Sequence, residues 1–289
     1  MTIGLLKTMR PKQWTKNAFI FGALVFDGKL LAPAPLALTL VGFGLLCLIS
    51  GTVYLINDLV DIEKDRQHPT KKNRPLPSGQ LPVQIALAAA VILPVTILPL
   101  GFWLNFTFGL IVTGYLLLQI AYSFVLKNMV IVDVLTIAFG FVLRVAAGVS
   151  LVNVVRFSPW LYLCTTLLAL FLGLGKRRQE LVLMGDKSNN TRSILEHYNL
   201  PFLDQMIGIV TTGTVMAYSF YTFSAAGLPE NHLMMLTIPF VLYGIFRWLY
   251  VIHVRGDGGA PDEVLLQDRP LQMSLLLWGL SIVAILYIF

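Results

Sequence analysis

Nine apolar stretches recur along the chain, at about 17–32, 36–57, 82–101, 104–126, 130–150, 158–175, 201–227, 232–254 and 270–288. Most approach the roughly 20 residues that a helix needs to cross a hydrocarbon core about 30 Å thick. Lipid offers no hydrogen-bond partners, so a segment of this length crosses only by satisfying its own backbone as a helix. The spacing therefore predicts an all-α, polytopic membrane bundle of about nine spans. Composition agrees: charged residues are 12% of the chain and hydrophobic ones 56%, whereas soluble domains are about a quarter charged. No polar interval is long enough to fold alone, so residues 1–289 read as a single transmembrane domain.

The first stretch is the shortest. Lys7, Arg10, Lys12 and Lys16 precede it, and Ala32-Pro33-Ala34 resembles a signal cleavage box, but Pro33 and Pro35 flank Ala34 and membrane segments follow. The reading is an uncleaved first helix with Trp14 at the interface. Pro94 and Pro99 predict a kink in the third span, which a bundle interior tolerates.

Basic residues orient the bundle. Alternating the loops puts all but four of the 21 Lys and Arg on one side; Lys29 and Arg156 lie on the other, and Arg144 and Arg247 lie inside spans. Cytoplasmic loops carry such an excess, so the basic face reads as cytoplasmic, at the inner (cell) membrane. The net charge of +6 belongs to this topology rather than to a nucleic-acid partner. Cys47 and Cys164 sit in apolar runs, and the four histidines show no metal spacing.

The polar stretch Asn57 to Gly79 holds four of the fifteen acidic and five of the basic residues. Asn57, Asp61 and Asp65 stack on one face if the helix continues, with Asp58 one turn from Asp61. Carboxylates on neighbouring turns repel each other unless a cation lies between them. Mg²⁺ suits the pattern, because it takes oxygens from one or two carboxylates and leaves positions for substrate phosphates. The alternative is a solvated acidic loop, its charges paired with Lys64, Arg66, Lys71 and Lys72. Lys71, Lys72 and Arg74 serve a doubly anionic substrate or simply mark a cytoplasmic flank. Tyr122, Lys127 and Asp133 repeat the polar pattern more weakly. Arg144 lies eleven residues beyond Asp133 and so about 16 Å deeper; phosphate partner and structural cation both remain open for it. Gly175-Lys176-Arg177-Arg178 closes a helix with three cations that complement its dipole, anionic headgroups or a sugar phosphate; P-loop spacing is absent. Residues 256–263 form a connector or a lid.

Asn57-Asp58-x-x-Asp61-x-x-x-Asp65, followed by Asn73-Arg74-Pro75-Leu76, resembles the first aspartate motif of the UbiA prenyltransferase superfamily. More narrowly, Arg10-Pro11-Lys12-Gln13-Trp14-x-Lys16-Asn17, Asp65-Arg66-x-His68-Pro69-Thr70-Lys71, Gly175-Lys176-Arg177 and the stretch from Gly258 through Asp268-Arg269 resemble its polyprenyl-phosphate phosphoribosyltransferase branch. The resemblance implies a bundle around a central cavity that transfers 5-phosphoribose from phosphoribosyl pyrophosphate to a polyprenyl phosphate, with Mg²⁺ as cofactor. It implies metal ligation by Asp58 and Asp61, with Asn57 and Asp65 supporting them in catalysis. Lys16, Arg66, Lys71, Arg74, Tyr122, Lys127, Asp133, Arg144, Lys176 and Arg177 would then bind substrate. An aromatic prenyltransferase using a polyprenyl diphosphate donor is the alternative within the superfamily, and a transporter the alternative outside it. Broken helices meeting at mid-membrane would mark a transporter, but here the charge gathers at one face. Monomer and homo-oligomer both remain open.

Overall fold

A computed structural model describes residues 2–69, 71–152, 154, 158–184, 193–225, 227–255, 264–265 and 267–288. Among them there are helices and no strands. Eight helices are long and apolar enough to cross a membrane, which makes this a multi-pass membrane protein. They match the last eight apolar stretches of the sequence.

The first stretch folds differently. α1 (Thr2–Thr8) is followed by a 3₁₀ segment, Pro11–Phe21, and a five-residue helix, α2 (Gly22–Phe26). The 3₁₀ form rises about 2.0 Å per residue against about 1.5 Å for α, so the two together reach roughly 30 Å. This segment has the reach of a span without being a long α-helix.

Contacts divide the chain into two compact units, Met1–Thr136 with Gly140–Val154, and Ile137–Phe139 with Val155–Phe289. In the first unit α3 (Pro33–Val60) is central and packs against the 3₁₀ segment, α5 (Val83–Leu104) and α6 (Phe106–Phe124). Its core joins Ile20, Leu46, Ile49, Phe108, Val112 and Tyr115 to Ala147 and Leu151 of α7 (Val132–Val152). α5 runs unbroken through Pro94 and Pro99 and buries only Ala86, Ile97 and Gly101. Its Leu87, Val91, Val95 and Trp103 are exposed apolar surface, as expected of a helix facing lipid.

α3 ends at Asp61, and α4 (Ile62–Gln67) restarts immediately. The loop beyond is anchored: Leu76 and Leu81 are buried in a small cluster with Leu55 and Ala86, and Leu81 N–H donates to Pro75 O at 2.8 Å. That anchoring removes the freely solvated loop as a description of this stretch.

In the second unit α8 (Pro159–Met184) pairs with α9 (Leu200–Ser224), and α10 (Ile238–Tyr250) with α11 (Arg269–Tyr287). Trp278 Nε1 donates to Tyr218 Oη at 2.7 Å, and that hydroxyl lies 2.6 Å from Thr237 Oγ1. Asp268 caps α11 by accepting from Leu271 N–H at 2.9 Å.

Candidate active site

The end of α3 and the chain just beyond it carry three carboxylates, two of which meet through a shared cation. The backbone hydrogen bonds continue through the break, Asp61 N–H to Asn57 O at 3.0 Å and Asp65 N–H to Asp61 O at 2.8 Å. The side chains do not form the single stack expected from an unbroken helix. Asp58 and Asp65, seven residues and two turns apart, share one guanidinium: Arg74 Nη1 lies 3.3 Å from Asp58 Oδ1 and 2.7 Å from Asp65 Oδ2. Lys71 Nζ lies 3.6 Å from Asp65. Asp61 takes a different partner, Lys127 Nζ, at 2.8 and 3.0 Å to its two oxygens.

Arg10 joins this group by donating to Asp58. Its guanidinium also lies 4.8 Å from the centre of the Tyr54 ring. Sequence reasoning placed Arg10 in a family motif and among the topology-setting cations, not on a carboxylate 48 positions away. Three carboxylates and four cations thus gather around the end of α3 as two groups, Asp58 and Asp65 with Arg10, Arg74 and Lys71, and Asp61 with Lys127; Asp58 and Asp65 are buried. Asn57, half-buried, lies beside them at the end of α3.

The other expected residues scatter around this group. Arg66 points to exposed Glu63 at 2.7 Å, away from the cluster. Tyr122 and Asp133 are buried at the end of α6 and the start of α7, and Lys16 is half-buried in the 3₁₀ segment. Arg144 is buried deep in α7 and donates from Nε to Asn17 Oδ1, from Nη1 to Gly140 O and from Nη2 to Tyr115 Oη, each at 2.8 Å. Its partners are all neutral.

Lys176 and Arg177 belong to the second unit. α8 does not end at these cations but continues to Met184. The continuation is stabilised by pairing: Arg177 is 1% exposed and donates to Glu180 at 2.6 Å, while Arg178 donates to Asp204 at 2.5 Å. Lys176 is exposed on the same turn. Arg247 and Asp268 form a two-pronged pair, Nε to Oδ1 at 3.1 Å and Nη2 to Oδ2 at 2.8 Å. Those hydrogen bonds hold the Asp268 carboxyl below the usual carboxylate range, against the opposing effect of burial. The imidazole of His68, beside Lys71, has its pKa lowered first by burial and then by that ammonium. The 256–263 connector or lid lies outside the described residues.

Among the described residues, no three His, Cys, Asp or Glu side chains converge as a ready-made metal cage. The donor chemistry nonetheless suits a hard divalent ion: carboxylate and amide oxygens at one helix end, with cations alongside to receive phosphates.

Comparison with known proteins places these residues in a family. The model of the UbiA prenyltransferase family matches residues 18–263. Decaprenyl-phosphate phosphoribosyltransferase of Corynebacterium glutamicum is 33% identical, the match covering 99% of this chain and 87% of that protein. Its counterpart from Mycolicibacterium smegmatis is 33% identical over 98% of this chain and 92% of that protein. In fold, the chain is similar to a UbiA homolog from Archaeoglobus fulgidus solved with DMAPP and Mg²⁺, with a TM-score of 0.73 at 19% identity over 99% of both chains. A structure of digeranylgeranylglyceryl phosphate synthase gives a TM-score of 0.68 at 19% identity, covering 100% of this chain and 99% of that one. This chain belongs to the UbiA prenyltransferase family.

Proposed function

We propose that this protein transfers 5-phosphoribose from phosphoribosyl pyrophosphate to a polyprenyl phosphate at the cytoplasmic face of the membrane. The observation that carries the reading is the cluster itself. Four cations, Arg10, Lys71, Arg74 and Lys127, contact three carboxylates at the end of one unit. Such a site takes a substrate that is anionic in more than one place and arrives with a metal. The near-full-length likeness to two decaprenyl-phosphate phosphoribosyltransferases supports the same donor and acceptor.

Mg²⁺ held by Asp58 and Asp61, with Asn57 and Asp65 supporting, would neutralise charge on the departing pyrophosphate. The protein's own task is then to bind and orient. Arg74 and Lys127, released from their carboxylates, turn to phosphate oxygens, and Arg10 and Lys71 hold the flanks. The bond between ribose C1 and the pyrophosphate oxygen breaks with its electron pair leaving on pyrophosphate, and a lipid phosphate oxygen bonds to C1. The nucleophile is already an anion, so no general base is needed; positioning and electrostatics carry the reaction.

The test uses purified protein in detergent with Mg²⁺. One arm receives labelled phosphoribosyl pyrophosphate and a polyprenyl phosphate; the other receives a prenyl diphosphate and 4-hydroxybenzoate. Label entering the lipid phase in the first arm, and stopped by EDTA, is the expected result. Product in the second arm alone would make the protein an aromatic prenyltransferase. Asp58→Asn or Asp61→Asn should abolish turnover in a folded protein, and near-normal activity in both would remove the metal assignment.

A further inference from the structure

Outside that group lies a buried cation, Arg144, whose hydrogen-bond partners among the described residues are all neutral. Its three nitrogens each donate one hydrogen bond, to Asn17, Gly140 O and Tyr115, and it lies 4.8 Å and 5.1 Å from the ring centres of Tyr115 and Phe141. What distinguishes the arrangement is Asn17. Its Oδ1 accepts from Arg144 of α7, while its Nδ2 donates to Ser50 Oγ at 3.0 Å and Cys47 Sγ at 3.4 Å, both in α3. One fully buried amide therefore ties the 3₁₀ segment to two membrane-spanning helices at once. A few residues further on, the strap presses its backbone on α7: a Cβ added at Gly148 would lie 2.0 Å from Ile20 O.

Arg10 stands at the head of that same strap, as its N-cap, in a left-handed conformation with φ 51° and ψ 66°. A residue other than glycine adopts that conformation only where its surroundings impose it. A 3₁₀ run of this length has poorer hydrogen-bond geometry than an α-helix and does not hold its own register. Tertiary contacts must fix it, and Asn17 and Ile20 supply them.

We propose that Asn17 and Arg144 are positioning residues. They clamp the strap between α3 and α7 and so hold Arg10 against Asp58, where it meets the pyrophosphate of the donor. Arg144 acts through Asn17 and touches no substrate. The role given to Arg10 rests on the proposed function; the clamp itself rests on the hydrogen bonds.

The test is a double-mutant cycle on Arg10→Ala and Asn17→Ala, read by calorimetric binding of Mn²⁺–pyrophosphate to the full-length protein in detergent. Each single change should weaken binding about tenfold, as expected for losing or displacing a charge-assisted contact. The double variant should bind no worse than Arg10→Ala, because Asn17 acts only through Arg10. In turnover, Asn17→Ala should raise KM for the ribosyl donor and leave KM for the lipid unchanged. Asn17→Asp, which keeps the acceptor facing Arg144 but can no longer donate to Ser50 and Cys47, should recover only part of the binding. Ser50→Ala, which removes one of the two tethers to α3, gives a milder form of the same loss where Asn17→Ala folds poorly. Additive losses in the cycle, or full affinity in Asn17→Ala beside weakened Arg10→Ala, would overturn the clamp. Absence of pyrophosphate binding by the unmodified protein would overturn the role of Arg10. A non-additive cycle in a protein that transfers no ribosyl label leaves the clamp standing and refutes the function, and additive losses in an active enzyme do the reverse.

Discussion

Among the described residues, Arg74 is the one guanidinium that touches two buried carboxylates, and neutralising it separates the roles of cation and metal. Asp58 and Asp65 have side chains 3% and 4% exposed, while that of Arg74 is 32% exposed. Removing one partner from a fully buried pair costs about 3–5 kcal/mol, because it leaves a desolvated charge behind. Two features lower that figure here. Water reaches the arginine and screens it, and each carboxylate keeps a second cation, Arg10 on Asp58 and Lys71 at 3.6 Å from Asp65. Arg74→Gln should then cost about 1–2 kcal/mol in metal-free buffer. Combined with Asp65→Asn, the loss should fall short of the sum of the single losses by about 1 kcal/mol, since the second change removes the charge the first left unpaired.

The measurement is thermal unfolding in detergent with EDTA, repeated at saturating Mg²⁺. Carboxylates relieved of Arg74 should accept the ion more readily than those that retain it. Mg²⁺ should therefore raise the Tm of Arg74→Gln more than that of the unmodified protein, by linkage to the folded state. Additive losses together with an identical Mg²⁺ response would refute the idea that Arg74 and a divalent ion compete for the same oxygens.

Three further outcomes follow from packing and charge. Gly148→Ala should cost several kcal/mol and lower pyrophosphate binding, since its Cβ would meet the backbone oxygen of Ile20 at 2.0 Å, whereas Gly114→Ala, with nothing within 4 Å, should be near neutral; matched unfolding curves check both. Leu76→Ala should cost about 2–5 kcal/mol, because the side chain is 1% exposed and anchors the loop carrying Arg74; if activity survives that loss unchanged, the loop does not deliver a site residue. Asp268 has a folded pKa below its ordinary value, chiefly through Arg247, so the unfolded chain binds its proton first. Its contribution is complete above the ordinary carboxylate value near pH 4 and is lost as pH falls through the folded value. Asp268→Asn, which retains an N-capping oxygen, should lower stability at neutral pH and leave the acid end little changed, so that the acid limb of a stability–pH curve flattens.

The spans were legible because lipid imposes one rule on every residue of a segment, and eight apolar runs obey it. The first run was not, because hydropathy carries no information on whether a short apolar stretch winds as α or 3₁₀. What decides there is tertiary: Ile20 must lie on Gly148 and Asn17 must reach both α3 and α7, and no periodicity within 17–32 encodes partners 33 and 127 positions from Asn17. The end of α8 was misplaced for a related reason. Gly-Lys-Arg-Arg suggests a stop, yet Glu180 and Asp204 supply acceptors for Arg177 and Arg178 and the helix continues.

The site divides along the same line. The carboxylates were visible because they are close in sequence and costly to leave unneutralised, so the need for positive charge between them follows from composition alone. Which charges meet that need does not. Of the cations in the 58–80 loop, Arg74 and Lys71 turn to Asp65 whereas Arg66 turns to exposed Glu63, although all three look equivalent as a basic string. The selection is made by Leu76 and Leu81, whose burial aims Arg74 inward and whose apolar identity carries no hint of chemistry. Arg10 and Lys127 arrive from two other segments to reach Asp58 and Asp61. Each carboxylate thus ends beside a cation delivered by a separately anchored piece of backbone: the strap, the loop after α4 and the turn after α6. On the proposed function, a diphosphate arriving with a metal would exchange with these cations one at a time, so that neither buried carboxylate is left bare.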